Sequence, residues 1–302
     1  MNVTSIRISA SSRNQSLVER LQDYLELTKP RISTLVLVTV AVGGFVATWG
    51  QPDPYLLFHA IVGTGLVAAS SCIWNQWIER DTDARMPRTA NRPIASGRVG
   101  RTEVYILGSA LLLIGVVELA FAVNVATAVL GLVTWLLYVA VYTPLKTVTR
   151  WNTLVGAVPG ALPVMIGWSA MGQPFDVRAA AMFLIVFLWQ FPHFMAIAWK
   201  YRHEYGSVGI QMVTVTDPSG RRAGVQAVVG AIALIPASLV PAIVAPPSRL
   251  YAAFAIVLGL IYLLAAVRFW QQRDDGRART LLRTSLIYLP LVMFGLACLP
   301  LA

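Results

Sequence analysis

The sequence predicts an all-α, polytopic membrane protein with nine transmembrane helices, and three observations carry that prediction. Of 302 residues, 57% are hydrophobic and only 13% charged, with a mean hydropathy of +0.65, a composition foreign to soluble globular domains. Apolar runs near the length that crosses a bilayer, about 20 residues per helix, occur nine times. Lysine and arginine gather in alternate connections, as they do where loops are retained on the inner side of a membrane.

Residues 1–31 form a polar N-terminal segment, and residues 32–302 form the transmembrane domain. The early stretch SASSRNQS reads as disordered, and VERLQDYLELTK reads as a short interfacial helix that stops before Pro30. No apolar core of a cleavable signal peptide precedes the first span, which is expected to act as its own insertion signal.

The spans are expected at 32–49, 55–78, 103–123, 125–143, 152–171, 179–199, 223–245, 249–270 and 281–301. Tight helical hairpins are expected near 123–125 and 246–248. The seventh span contains Pro236 and Pro241 and is expected to kink, with neighbouring helices satisfying the freed backbone groups.

With the N-terminus inside, 22 of the 24 Lys and Arg residues fall on the inner side; Arg178 and Arg249 are left outside. That split supports both the span count and an N-inside, C-outside orientation. It also accounts for the net charge of +10 without nucleic acid as a partner. Only Cys72 and Cys298 occur, both in apolar segments, which excludes a disulfide framework and a thiolate metal site. The N-terminus, with Arg and Ser but no acid before Glu19, fits either a plain cytoplasmic tail or a brief targeting segment; a bacterial inner membrane is the expected location, over a mitochondrial one.

The chemistry gathers after the second span, in NQWIERDTDARMPRTANRP (75–93), which carries one Glu, two Asp and four Arg. Asn75, Glu79 and Asp83 are each four residues apart. On a continuing helix such positions differ by only about 40°, so three oxygen-bearing side chains share a face. That suits Mg²⁺, which takes a few carboxylates and completes its shell with phosphate oxygens and water. The competing reading is a solvated acidic helix end neutralised by Arg80 and Arg85.

Arg88 and Arg92 follow, and Lys146 lies at the same face in YTPLKTVTRWN. Guanidinium forks match phosphate oxygens, and positive charge stabilises a departing diphosphate; each of these residues also fits a plain topology signal. The sixth span ends WQFPHFMAIAWKYRHEYGSVG. His193 there suits acceptor binding, iron ligation or proton transfer, against a simple packed histidine. Glu204 and Tyr205 close that span, but Val208 supplies no acid to make Glu204 a second metal site, and His59 reads as structural. The loops after the second and sixth spans are long, mix acids with bases and lie on one face, which makes them candidate halves of one site.

At these residues the chain resembles the UbiA superfamily of intramembrane prenyltransferases. The resemblance rests on LTKPRISTLVLVT, NQWIERDTDARMPRTANRP, YTPLKTVTRWNTLVGAVPGALPVMIGW and WQFPHFMAIAW, and the second and fourth are similar to the heme-acting branch. It implies nine helices around a central cavity whose mouth faces the cytoplasm. It further implies that Asn75, Glu79 and Asp83 bind Mg²⁺, that Arg88, Arg92 and Lys146 contact diphosphate, and that His193, Glu204 and Tyr205 lie on the acceptor side. The sequence departs from the family pattern at Glu79 and Glu204, where Asp is often found, and in QMVTVTD after Gly209, which lacks the usual proline.

The expected reaction is transfer of a farnesyl group from farnesyl diphosphate to a vinyl group of heme b, giving heme O. Trp74, Trp77, Phe194 and Trp199 are candidate shields for a cationic intermediate. Membrane lipid is an expected partner, and the resemblance implies contact with heme A synthase or oxidase assembly factors. The alternatives are prenylation of an aromatic quinone precursor at the same metal site and, in a different class, a membrane transporter. The one-sided clustering of charge and the absence of paired broken helices argue against transport.

Overall fold

The computed structural model describes residues 16–244 and 248–299. The SASSRNQS stretch, apart from Ser16, and most of the 246–248 hairpin lie outside the described residues. Among those described there is no strand, and nine helices are long and apolar enough to cross a membrane. They span Pro30–Ala47, Pro54–Ile78, Arg101–Val123, Val125–Leu145, Asn152–Ala170, Val177–Lys200, Arg221–Val244, Arg249–Gln271 and Asp275–Cys298.

Eight of these match the expected positions closely. The ninth begins six residues before the expected 281, because the Asp274 side chain accepts the backbone N–H of Arg277 and starts a helix in a stretch too charged to read as membrane. Two spans are not uniform α-helix. Leu119–Val123 ends the third span and Leu137–Tyr142 interrupts the fourth, both as π-helix.

The spans pack in chain order, each against the next, and the ninth returns to the first, so the bundle closes into a ring. The fifth span is the most buried and touches the first, second, fourth and sixth. Its small residues permit this. A Cβ on Gly167 would sit 1.9 Å from the Val40 carbonyl oxygen, and one on Gly43 would sit 2.4 Å from that of Val164. The first and fifth spans therefore meet backbone to backbone, the close approach that membrane helices use where lipid provides no hydrophobic drive between them.

The N-terminal helix, Leu17–Leu27, starts at a capping box between Ser16 and Glu19. Leu17, Val18, Leu21 and Leu25 remain exposed, as suits an interfacial helix. Its end is tied to the bundle. Leu27 is buried with Ile73, Ile94, Val99 and Val104, and Gln76 Nε2 donates to the Leu27 carbonyl at 2.8 Å. This anchor delivers Lys29 to the end of the second span.

Candidate active site

The second span stops at Ile78, with Glu79 as its C-cap and a single further turn over Arg80–Asp83. Backbone bonds from Glu79 to Asn75 and from Asp83 to Glu79 carry the helical spacing across the join, so the shared face expected for Asn75, Glu79 and Asp83 forms. Asp83 and Asn75 are buried. Asp81, whose side chain is 80% exposed, turns away.

Each of the three oxygen donors meets a different cation. Lys29 Nζ donates to Asn75 Oδ1 at 2.9 Å, Lys146 Nζ to Glu79 Oε1 at 2.6 Å, and Arg92 to Asp83 Oδ2 at 2.6 Å. The Asn75 amide is oriented by its other end. Thr143 spends its hydroxyl proton on the Tyr138 carbonyl and so accepts from Asn75 Nδ2 at 3.1 Å. Burial pushes the Glu79 carboxyl up, but the Lys146 ammonium outweighs it and holds the carboxyl below its ordinary value. Burial opposes the Lys146 charge, and the Glu79 carboxylate overcomes that and raises it. Burial holds Lys29 below the ordinary lysine value.

This donor set fits Mg²⁺ on one condition. Two carboxylates and an amide oxygen are hard ligands, and the ammonium groups on Asn75 and Glu79 stand where a cation is already satisfied. No cluster of three or more His, Cys, Asp or Glu side chains occurs among the described residues. The chain alone is therefore poorly equipped to hold a bare ion, and further oxygen ligands would be needed to complete the shell. Three cations against two carboxylates leave the cluster positive, which favours an anion.

The loop after the sixth span joins this cluster, as the two-halves reading anticipated. Met86 is buried with Ala198, Val208, Ile210 and Met212. Arg88 stacks over the Tyr201 ring at 4.6 Å, and the Gln211 N–H donates to the Lys146 carbonyl at 2.7 Å. Burial raises the Tyr205 phenol, whose field includes Arg88, Lys146 and Glu79. Glu204 Oε2 is buried with no hydrogen-bond partner among the described residues. Val208 is spent on the Met86 cluster, which leaves Glu204 without an acidic neighbour there.

His193 stands apart from the charged mouth, beside Trp189, Phe194 and Ser285. Ser285 donates its hydroxyl proton to the Leu282 carbonyl at 2.6 Å, so it accepts from His193 Nδ1 at 2.8 Å. That assignment places the proton on Nδ1 and leaves the Nε2 lone pair unused. His59 pairs with Glu118 at 2.5 Å, a link between the second and third spans.

Of the aromatic candidates, Phe194 lies beside His193 at 5.6 Å. Trp74 packs on Tyr105 and Trp135, Trp77 on Arg80 and Tyr105, and Trp199 on Phe269 and Arg202. Tyr142 instead flanks the mouth, 4.7 Å under Lys146 Nζ. Lys29, Thr143, Tyr142 and Ser285 escaped the sequence reading. Lys29 alone carried a signal, as the charge just ahead of the first span.

A closed ring of nine membrane helices among the described residues, with a buried, net-positive polar cluster at one end, defines an integral membrane protein. The chain belongs to the UbiA prenyltransferase family, whose model matches residues 36–292. A protoheme IX farnesyltransferase of Solibacter usitatus is 44% identical over 288 residues, covering 92% of this chain and 98% of the relative. One from Opitutus terrae is 41% identical over 279 residues, covering 92% and 94%. A solved digeranylgeranylglyceryl phosphate synthase superposes with a TM-score of 0.77 at 14% identity, over 93% of this chain and 99% of that one. A UbiA homolog from Archaeoglobus fulgidus bound to GPP and Mg²⁺ superposes at 0.66 with 17% identity, over 91% and 99%. These likenesses establish the fold.

Proposed function

We propose that this protein transfers the farnesyl group of farnesyl diphosphate to a vinyl group of heme b, forming heme O, in a Mg²⁺-dependent reaction at the inner face of a bacterial cytoplasmic membrane. The observation that carries the reading is the set of three oxygen donors, each held by its own cation, at the end of the second span. The names of the Solibacter and Opitutus relatives support the acceptor, and the Mg²⁺ and GPP in the Archaeoglobus structure support the metal and the donor class.

Bound Mg²⁺ would supply Lewis-acid stabilisation of the leaving diphosphate, held by Asn75, Glu79 and Asp83. Lys29, Arg92 and Lys146, which now contact those oxygens, would turn to the diphosphate, and Arg88 would add charge at the rim. The carbon–oxygen bond of the donor breaks with its electron pair leaving on the diphosphate. The vinyl carbon attacks the allylic cation. Water captures the resulting heme-side cation and releases a proton. His193 presents its Nε2 lone pair to the acceptor, with Trp189 and Phe194 fixing its ring.

The test supplies purified protein in detergent with farnesyl diphosphate and Mg²⁺, offers heme b or a hydroxybenzoate, and identifies products by mass. Conversion of heme b that disappears in Asp83→Ala is expected. Prenylation of the aromatic acid alone would overturn the acceptor and keep the metal site.

A further inference from the structure

Part of the charge on the basic face is neutralised in place. Arg20, Arg98, Arg202, Arg92 and Lys146 each pair with an acid. Arg150, Arg221 and Arg222 form no ion pair among the described residues, although Arg222 lies in the field of Asp217. They line one cavity of about 420 Å³ between the loop after the fourth span and the start of the seventh. No ion pair or side-chain hydrogen bond engages their guanidinium groups among the described residues. Arg150 lies 5.8 Å over the Trp151 ring, and Asp217 receives the backbone N–H of Arg222. None of these residues belongs to the cluster around Asn75, Glu79 and Asp83.

The cavity has an apolar side as well. Trp151, Val213 and Val225, with the polar Gln226, complete its wall. Val225, Val229 and Ile232 are 41%, 59% and 53% exposed and recur at helical spacing up the seventh span, while Leu154 extends the exposed face of Trp151 by one turn. Three guanidinium groups, of which only that of Arg222 has an acid nearby, thus sit at the foot of a stripe that faces lipid tails. An occupant that satisfies both parts carries an anionic head and an alkyl chain. A rigid porphyrin offers no chain to the stripe, and His193 packs against the ninth span rather than this cavity.

We propose that this cavity is a binding site for an anionic glycerophospholipid of the adjacent leaflet, its phosphate held by Arg150, Arg221 and Arg222 and its acyl chain lying along Val225, Val229 and Ile232. Arginine forks bind phosphate oxygens in pairs, and basic pockets between membrane helices on the cytoplasmic side recognise such head groups. The site is independent of which acceptor the enzyme prenylates.

The test uses the full chain in detergent, titrated with dioleoyl phosphatidylglycerol or dioleoyl phosphatidylcholine and read by native mass spectrometry. The wild type is expected to retain phosphatidylglycerol at least about tenfold more tightly. The triple variant Arg150→Gln, Arg221→Gln, Arg222→Gln is expected to lose about a hundredfold, from the contribution of each basic residue near a membrane surface, while farnesyl diphosphate binding stays intact as evidence of folding. The corresponding triple Lys variant is expected to keep most of the preference. Equal retention of the two lipids by the wild type would overturn the proposal without recourse to any variant. So would displacement of phosphatidylglycerol by inorganic phosphate alone or by protoheme, or undiminished binding in the Gln variant.

Discussion

Lys29 is held in an unusual backbone state, with φ +48° and ψ +61°, in the left-handed region that non-glycine residues seldom occupy. Such conformations persist where the surroundings over-determine them. Here Pro30 opens the first span immediately afterwards, and the turn sends the ammonium inward to Asn75. Lys29→Ala is expected to weaken farnesyl diphosphate binding about tenfold, the value of one charge-assisted hydrogen bond, as measured by calorimetry at fixed Mg²⁺. Ser285 acts at one remove, because it fixes the His193 tautomer without facing the mouth. On the reading that His193 meets the heme iron, Ser285→Ala is expected to loosen heme b binding about tenfold, the low end of what losing the hydrogen bond behind a ligating histidine costs, and to shift the absorption of the bound heme; Ser285→Thr is expected to restore both. An unchanged heme spectrum in Ser285→Ala would show that the histidine does not depend on this bond.

At the scale of elements, the π-helical stretch Leu137–Tyr142 sets where Thr143 and Lys146 point. A π-turn inserts an extra residue into a helix and re-aims everything beyond it, and such turns recur at functional sites. Thr143 then reaches Asn75, and Lys146 reaches Glu79. Deleting Leu145, just beyond the bulge, leaves the π-turn in place and is expected to rotate Lys146 by about 100°. Farnesyl transfer should then fall about 10²-fold, the cost of a misplaced catalytic group, with helical content by circular dichroism unchanged. Full activity in the deletion would mean that the direction in which the bulge sends Lys146 is incidental. The periodicity of apolar residues placed the span but was blind to the bulge, since one extra residue in a run apolar on every side leaves no mark.

For the whole molecule, the ring depends on how closely the first and fifth spans approach. Gly167→Ala places a methyl group against the Val40 backbone, which cannot yield as a flexible side chain would. The expected cost is about 1–3 kcal/mol, read as a lower thermal midpoint in detergent. Gly172→Ala tests a different effect, because nothing lies within 4 Å of its Cβ and only its φ of +65° resists substitution. If Gly167→Ala unfolds at the wild-type temperature, the backbone contact is not limiting.

Composition and charge by themselves determined the class of architecture. Nine apolar runs must bury their backbone polar groups as helices in lipid, and 22 of 24 basic residues fall on one side. The four-residue spacing of Asn75, Glu79 and Asp83 determined the acidic face, because helix geometry is local. Tertiary structure alone decided the partners. Lys29 lies 46 residues from Asn75, Lys146 lies 67 from Glu79, and Ser285 lies 92 from His193. No local rule links such positions. They meet because closure of the ring and the packing of small residues bring the ends of distant helices to one place, and there Asn75, Glu79 and Asp83 each take the partner that offsets their loss of water.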